Sequence, residues 1–196
     1  FKGSWLIIFL NLLGAKIYGY SLKPHKKSLF NLANCKRLVK NNFFFDIRNK
    51  NHLERALVKS KPEIIFHFAA QSLVKKSYEN PHETFSTNIL GTLNLLETIQ
   101  KIESVKSVII TTTDKVYKNE NKNKIHNESD ELGGIDPYSA SKVCKEILTT
   151  SYVESFFNFE KRKLKVSTVR SGNVIGGGDY SKLSLIHISE PTRRTT

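Results

Sequence analysis

The stretch DPYSASK, residues 136–142, decides the fold prediction, because it has the features of a helix start that carries two polar side chains on one side. Asp136 is a favourable N-cap, and Pro137 suits the first helical position, where its missing N–H costs nothing. Apolar residues then recur at the spacing of one helical face: Ala140, Val143, Cys144, Ile147, Leu148 and Tyr152. Tyr138 therefore falls in the first turn of a helix, and Lys142 follows it at i+4 on the same side.

The Tyr138 and Lys142 pair has the chemistry of a general base. An ammonium beside a phenol favours the phenolate, and the positive end of the helix dipole acts in the same direction. We therefore expect the pKa of Tyr138 to fall below its ordinary value of about 10. A Tyr-x-x-x-Lys pattern also arises from an ordinary surface tyrosine and lysine, so the rest of the chain has to decide between the two interpretations.

Composition indicates a globular protein with an unusual charge. The chain has 196 residues, of which 39% are hydrophobic and 25% charged, enough for one good-sized domain. The net charge of +13 raises the possibility of nucleic acid or an anionic membrane as a partner. The basic residues are scattered and show no interleaved aromatic pattern, so we interpret them as a solvated lysine surface and expect no nucleic-acid partner. Such a surface also suits a doubly anionic substrate.

Neither the cysteines nor the apolar segments indicate a metal site or a membrane span. Cys35 and Cys144 have neither metal-binding spacing nor a disulfide framework. The apolar segment at residues 5–13 has only about half of the ~20 residues that a membrane span needs. It also lacks the basic leader and cleavage site of a signal peptide. We expect no metal, no membrane association and a reduced, cytoplasmic protein.

Strands and helices alternate along the chain. The predicted strands cover residues 16–20, 42–45, 64–70, 108–112 and 164–170. The first predicted helix ends near residue 14, two more cover 52–60 and 85–100, and the last begins at 136. The nearly continuous apolar run at 64–70 is typical of a strand that is covered on both faces. Alternation of this kind predicts an α/β fold with a doubly wound, Rossmann-like parallel sheet.

Polar residues follow several of the predicted strands. In open parallel sheets, ligands bind beyond the carboxyl ends of the strands. The residues at those ends are Asp46, then Ala70 and Gln71, then Thr113, Asp114 and Lys115, and finally Ser171, Gly172 and Asn173. We expect these groups to meet Tyr138 and Lys142 at one edge of the sheet. The three glycines at 176–178 are interpreted as a flexible segment.

Both ends of the chain depart from a complete fold of this kind. A Rossmann sheet opens with a strand and a Gly-rich turn, whereas here a helix begins at once, so we expect Gly3 to be the last glycine of a G-x-x-G-x-x-G turn. Residues 183–196 resemble a translated sequencing adapter, the alternative being a natural tail. We predict a partial dinucleotide-binding domain over residues 1–182, incomplete at both ends, and a non-native tail over 183–196.

Several segments together resemble the extended short-chain dehydrogenase/reductase family and, within it, the CDP-glucose 4,6-dehydratases. They are FKGSW (1–5), GYSL (19–22), DIR (46–48), KPE (61–63), FHFAAQ (66–71), TNILGT (87–92), TDK (113–115), LGG (132–134), DPYSASK (136–142) and GNVIGGGD (172–179). The Thr-Asp-Lys triplet favours a resemblance to the CDP-glucose enzymes over one to the related dTDP-glucose dehydratases, because the latter carry Thr-Asp-Glu. Two features depart from the family: lysine- and asparagine-rich sequence replaces a Trp- and Tyr-containing stretch at 118–129, and the C-terminal substrate domain is absent.

The resemblance implies an NAD-dependent dehydratase that converts CDP-glucose to CDP-4-keto-6-deoxyglucose. Tyr138 would take the proton of the C4 hydroxyl as hydride passes to NAD, and Lys142 would hold the nicotinamide ribose. Thr113 would hydrogen-bond the O4 position. Asp114 would be the acid and Lys115 the base of water elimination. A lysine base must be partly neutral, which requires burial or positive neighbours.

The resemblance also implies a set of binding residues. Gly3, Asp46, Ile47, Ala69 and Ala70 would contact NAD together with the Tyr-Lys pair, and Asn173 would contact the substrate with the O4-binding threonine. The choice of NAD over NADP rests on the resemblance, since no acidic residue ends the strand at 16–20. The parent protein is expected to be a homodimer, and the nucleotide base of its substrate is left open by the residues themselves.

Two other interpretations stay open. A nucleotide-sugar 4-epimerase on the same scaffold would need only Thr113, Tyr138 and Lys142. Alternatively, the chain as given is an inactive nucleotide-binding fragment.

Overall fold

The computed structural model describes residues 1–118, 125–158 and 164–180, which form two compact units. The tail predicted at 183–196 lies outside the described residues. The smaller unit contains residues 1–44 and the segment from Asn173 onwards, and the larger unit contains residues 45–172. The elements of the smaller unit are α1 (Lys2–Leu12), β1 (Tyr18–Ser21), α2 (Leu29–Leu32), a 3₁₀ turn (Cys35–Leu38) and β2 (Asn41–Phe44). Strands β1 and β2 are parallel, with Tyr18 opposite Asn41.

The glycines at 176–178, in the smaller unit, are packed rather than free. Trp5 on α1 donates its indole N–H to the carbonyl of Gly177 at 2.9 Å. Gly178 has a φ of +82°, and a Cβ at this position would lie 2.7 Å from Cβ of Leu29. The interpretation of residues 176–178 as a flexible segment is therefore wrong, because a side chain at Gly178 would collide with α2 and would strain the backbone.

The larger unit contains a three-stranded parallel sheet. Its elements are α3 (Lys50–Ser60), β3 (Ile64–His67), α4 (Val74–Glu79), α5 (Pro81–Phe85), a π turn (Ser86–Leu90), α6 (Gly91–Ile99), β4 (Ser107–Thr111), a 3₁₀ turn (Asp114–Val116), α7 (Pro137–Tyr152), a second π turn (Val153–Phe157) and β5 (Lys165–Val169). The strand order is β3-β4-β5, with Ile64 opposite Ser107 and Ser107 opposite Lys165. The predicted parallel α/β architecture is confirmed.

The core of the larger unit surrounds its central strand. Val108 and Ile110 on β4 are fully buried. Helices α3 and α6 contribute the buried apolar side chains Leu53, Ala56, Leu57, Leu95, Leu96 and Ile99. Burial of each such side chain stabilises the fold by roughly 1.5–3 kcal/mol before entropy is counted. This packing fixes the sheet on which the candidate site is built.

Two predicted element boundaries differ from the structure by three residues or more. Strand β3 ends at His67 rather than at residue 70. A few residues further on, the backbone N–H and C=O of Gln71 are bonded to the side-chain amide of Asn88, so they are not available to a neighbouring strand. The helix predicted over 85–100 begins earlier, at Pro81, because the Asn80 side chain caps it by accepting the N–H of Glu83.

Helix α7 buries the side opposite to the one that its periodicity predicts. Its buried residues are Tyr138, Ser139, Ser141, Lys142, Lys145, Glu146 and Thr149. The residues of the predicted apolar face are mostly only partly buried or, for Ile147 at 58%, exposed. The polar side faces inward because its members hydrogen-bond to buried groups of the sheet and of the neighbouring helices.

Within the described part of the chain, no helix is long and apolar enough to cross a membrane. The same ranges contain no group of three or more His, Cys, Asp or Glu side chains arranged to hold a metal ion.

Candidate active site

The start of α7 is fixed by its cap and by a close backbone contact. The Asp136 carboxylate accepts the backbone N–H groups of Tyr138 and Ser139, each at 3.0 Å, which confirms the predicted N-cap. Gly134 lies against the first turn, where a Cβ would be 2.5 Å from the backbone nitrogen of Ala140. Position 134 therefore has no room for a side chain, and the helix start is held in place from two directions.

Tyr138 and Lys142 are both buried, with 8% and 4% of their surface exposed. The ammonium nitrogen of Lys142 lies 5.7 Å from the centre of the Tyr138 ring. Thr113, which follows β4 by two residues and is 5% exposed, lies close enough to the Tyr138 phenol to lower its pKa. The structure thus brings three of the predicted catalytic side chains together.

The pKa of Tyr138 is raised, not lowered as the sequence predicted. Burial of the phenol is the largest cause, and the nearby carboxylates of Asp114 and Asp136 raise the pKa further. Thr113 acts in the opposite direction and lowers the pKa. The prediction failed because it weighed the charge of Lys142 and the helix dipole but not the desolvation of the phenolate.

Asp114 and Lys115 form an exposed 3₁₀ turn directly after Thr113. The Asp114 N–H donates to the carbonyl of Ser171 at 3.1 Å, and the Asp114 carboxylate accepts the Thr113 hydroxyl at 3.1 Å. Lys115 lies close enough to Asp136 to contribute to lowering the pKa of that carboxyl, although the hydrogen bonds from Ser139 and the helix N-terminus contribute more. The burial that a neutral lysine requires is not found for Lys115.

Asn88 holds two parts of the site together. Its amide exchanges hydrogen bonds with the backbone of Gln71 at 2.8 and 3.0 Å, and it also donates to the Ser141 hydroxyl at 2.8 Å. Ser141 in turn donates to the carbonyl of Tyr138 at 2.6 Å. Asn88 is completely buried, so it connects the segment after β3 to the first turn of α7. These bonds give Asn88 a structural role.

The predicted cofactor residues of the larger unit lie at strand ends. Ala69 and Ala70 are partly buried in the segment that Asn88 holds after β3. Asp46 is paired with Arg48, whose nitrogens lie 2.6–3.1 Å from its carboxylate, and this pairing lowers the pKa of Asp46. The side chain of Ile47 is buried beside Gly91, which leaves its backbone as the part that can contact a ligand.

Two predicted residues belong to the smaller unit. Gly3 lies in the first turn of α1, and no atom is found within 4 Å of the position that a Cβ would occupy. Asn173 begins the segment that leads to the packed glycines.

The buried carboxylate of Glu146, in the larger unit, was not predicted from the sequence. Glu146 lies on α7 one turn after Lys142, and its side chain accepts hydrogen bonds from Thr112 and Arg170. Charged residues on a helix are usually solvated, so no pattern in the sequence marked this carboxylate as buried. Arg170 is bound to Glu146 through two of its guanidinium nitrogens.

Known proteins share this fold and these motifs. Residues 1–173 match the family described as GDP-mannose 4,6 dehydratase. The chain is 44% identical to the CDP-glucose 4,6-dehydratase of Salmonella typhimurium, over 95% of this chain and 53% of that protein. The solved UDP-glucose 4-epimerase of Thermotoga maritima with UDP-glucose has a TM-score of 0.80 at 27% identity, covering 96% of this chain and 58% of that one. The UDP-glucose 4-epimerase of Thermus thermophilus in complex with NAD has a TM-score of 0.75 at 29% identity, covering 90% and 53%.

The parallel α/β fold and the Tyr138–Lys142 pair define an extended short-chain dehydrogenase/reductase, as the resemblance predicted. Within that class, the chain belongs to the GDP-mannose 4,6 dehydratase family. It spans about half the length of the relatives that it matches.

Proposed function

We propose that this chain is the dinucleotide-binding part of a longer NAD-dependent nucleotide-sugar 4,6-dehydratase that converts CDP-glucose to CDP-4-keto-6-deoxyglucose. The observation that carries the proposal is the burial of Thr113, Tyr138 and Lys142 together, with the Lys142 ammonium 5.7 Å from the centre of the Tyr138 ring and Asp114 next to Thr113 in the chain. The similarity to the Salmonella typhimurium CDP-glucose 4,6-dehydratase supports the choice of substrate.

The residues present fit an NAD molecule. Gly3 would let the backbone of the first turn of α1 approach the pyrophosphate. The partly exposed Asp46 carboxylate would accept the adenine amino group, with the Ile47 backbone beside it. Ala69 and Ala70 would line the cofactor, and Lys142 would bind the nicotinamide ribose. When bound, NAD supplies the acceptor of hydride from C4 and its donor to C6.

The first oxidation depends on Tyr138 and Thr113. The phenolate of Tyr138 takes the proton of the C4 hydroxyl, and the Thr113 hydroxyl binds O4 and helps to orient it. Because burial raises the pKa of Tyr138, the phenolate needs compensation from Thr113 and from the positive charge of Lys142. A pH–rate profile that falls on the acid side is the expected consequence.

The elimination depends on the turn after β4. The C4 ketone acidifies the C5–H bond, so that Lys115 can remove this proton while Asp114 protonates the departing C6 hydroxyl, and water leaves. Asp114 is held by the Ser171 carbonyl and by the Thr113 hydroxyl, which places an acid next to the O4-binding residue. Lys115 is exposed, and its action as a base requires it to become buried when the substrate binds. Asn173 would contact the substrate.

A 4-epimerase is the alternative function. The two epimerase structures described above support it, and it needs Thr113, Tyr138 and Lys142 but no acid–base pair. The exposure of Lys115 also favours it, since an exposed amine is a poor base at neutral pH.

One assay separates the two functions. The full-length protein with NAD and CDP-glucose should yield a 4-keto-6-deoxy product that is lighter than the substrate by one water, as detected by mass spectrometry. A product of unchanged mass would show an epimerase. The same assay on residues 1–182 tests the further proposal that this portion is inactive alone, and activity there would contradict it.

Two properties complete the proposal. A homodimeric parent is supported by the partly exposed apolar face of α7, which would be covered in a dimer. A reduced, cytoplasmic setting is supported by the two cysteines, both of which are free. Light scattering of the full-length protein tests the first property, and fractionation of the cells that produce it tests the second.

A further inference from the structure

Glu146 is a buried carboxylate to which three hydrogen-bonding groups converge. It lies on α7 two turns after Tyr138, and its side chain is 4% exposed. The Nε–H of Arg170 donates to its two oxygens at 2.9 and 3.1 Å, and a terminal nitrogen of the same guanidinium donates at 2.5 Å. The Thr112 hydroxyl donates to it at 2.6 Å. Such bidentate, charge-assisted hydrogen bonds are strong, and they also fix the relative orientation of the two side chains.

The two partners of Glu146 are the residues that directly follow strands β4 and β5. Thr112 comes after Thr111, and Arg170 comes after Val169. The strand ends are also bonded to each other, since the Thr112 N–H donates to the Val169 carbonyl at 2.9 Å. One carboxylate therefore ties both strand ends to the helix that carries Tyr138.

Arg170 extends this arrangement to the segment between β4 and α7. A terminal nitrogen of its guanidinium donates to the carbonyl of Glu128 at 3.1 Å. The guanidinium carbon lies 4.8 Å from the centre of the Tyr117 ring, and Tyr117 stacks on His126 with ring centres 4.5 Å apart. The guanidinium is thus already engaged on several sides, which makes it a structural group rather than a substrate contact.

We propose that Glu146 is a positioning residue: the Thr112–Glu146–Arg170 cluster holds the strand end that bears Thr113 against α7, so that Thr113 lies beside the Tyr138 phenol. Thr113 follows Thr112 directly, so a displacement of the Thr112 backbone moves Thr113 by a similar amount. Displacements of about 1 Å at such contacts lower reaction rates by roughly a hundredfold. The kinetic part of this inference rests on the proposed function, and the geometric part does not.

The test uses the full-length protein with NAD and two substitutions in the cluster. Glu146→Gln removes the charge and keeps the shape. Thr112→Val removes one hydrogen bond without leaving a buried charge unpaired, so it keeps the test decisive if Glu146→Gln fails to fold. Glu97→Gln is the matched control, because Glu97 forms a half-exposed pair with Lys50 at 2.7 Å in the same unit.

The first readout is the pH at which Tyr138 ionises, from tyrosinate absorbance with the signal of Tyr138→Phe subtracted. A loosened cluster lets Thr113, which lowers this pKa, move away from the phenol, so both cluster variants should shift the titration upward, by up to about one pH unit. The control should not shift it. A purely structural role would lower the unfolding temperature and leave the titration of the folded protein unchanged, and that result would overturn the proposal.

The second readout is the split between kcat and KM. We expect kcat to fall by about tenfold to a hundredfold in Glu146→Gln, with KM for the nucleotide sugar changed by less than about threefold. An increase in KM alone would overturn the positioning role. A parent protein that does not act on CDP-glucose would refute the proposed function, whereas the tyrosinate titration would still decide the inference about Glu146.

Discussion

Substitution of Lys145 by methionine should stabilise the protein, because the amine of this lysine is buried without a hydrogen-bond partner among the described residues. Lys145 lies on α7 with none of its surface exposed, and its Nζ has no hydrogen-bond partner among the described residues. Burial and the charge of Lys142 both hold the pKa of Lys145 well below its ordinary value of 10.5. His67, bonded to Thr92, is kept neutral by its own burial and by these two lysines, which lower its pKa.

The size of the effect follows from two general magnitudes. A buried polar group without a hydrogen bond costs about 1–3 kcal/mol, even when it is neutral. Methionine has a similar shape and removes this cost. Deprotonating Lys145 on folding adds up to about 1.4 kcal/mol for each pH unit below the pKa of the unfolded state. We therefore expect Lys145→Met to raise the free energy of unfolding by at least about 1 kcal/mol at neutral pH.

The pH dependence gives the sharper test. The folded state binds the Lys145 proton more weakly than the unfolded state, so the free-energy cost of deprotonating Lys145 on folding is absent above pH 10.5. It grows as the pH falls below 10.5 and becomes constant once the pH is below the folded-state pKa. The stability advantage of Lys145→Met should therefore increase from about pH 10 towards neutral pH.

Denaturant unfolding of the full-length protein at several pH values measures this advantage. Lys59→Met is the control, since Lys59 is exposed on α3 of the same unit and should show no such trend. A Lys145→Met variant that is less stable than the parent, or an advantage that does not change with pH, would show that Lys145 is charged and partnered in the folded protein.

Three further predictions concern the site. Tyr138→Phe should abolish reduction of NAD by CDP-glucose while leaving nucleotide-sugar binding intact, and turnover near that of the parent would refute its role as base. Lys115→Met should allow NAD to be reduced in a single turnover but block loss of water, which is seen as persistent absorbance of the reduced cofactor, whereas the exposed Lys75→Met should behave as the parent. Gly134→Val should destabilise the protein by about 1–3 kcal/mol, because the side chain would meet the backbone of Ala140, and an unchanged unfolding midpoint would contradict this contact.

The sequence predicted the elements that depend on local signals. The Asp136 cap and Pro137 placed the start of α7 correctly, and apolar runs placed all five strands to within a few residues. These signals succeed because capping and strand burial are properties of short segments. The convergence of Thr113 with Tyr138 could also be predicted, since parallel strands deliver their carboxyl ends to one edge.

The sequence could not predict quantities that depend on tertiary burial. The direction of the pKa shift of Tyr138 is set by desolvation, which no local pattern reveals. The packed state of the glycines at 176–178 depends on contacts with Trp5 and Leu29, which are far away in the chain. For the same reason, the hydrogen bonds that Glu146 makes with Thr112 and Arg170 had no signature in the sequence.

Helix α7 shows why hydrophobic periodicity failed at the site itself. An ordinary surface helix turns its apolar face to the core, whereas α7 turns inward the polar residues that hold the strand ends and the phenol. Burial of Lys142, Lys145 and Glu146 costs free energy unless each group has hydrogen-bonding partners. Glu146 has such partners, because it binds the residues that follow two strands. The apolar residues are thereby displaced towards the surface, where Ile147 is 58% exposed. A helix that turns polar groups inward thus presents apolar side chains outward, and contiguous exposed apolar surface is typical of interaction sites.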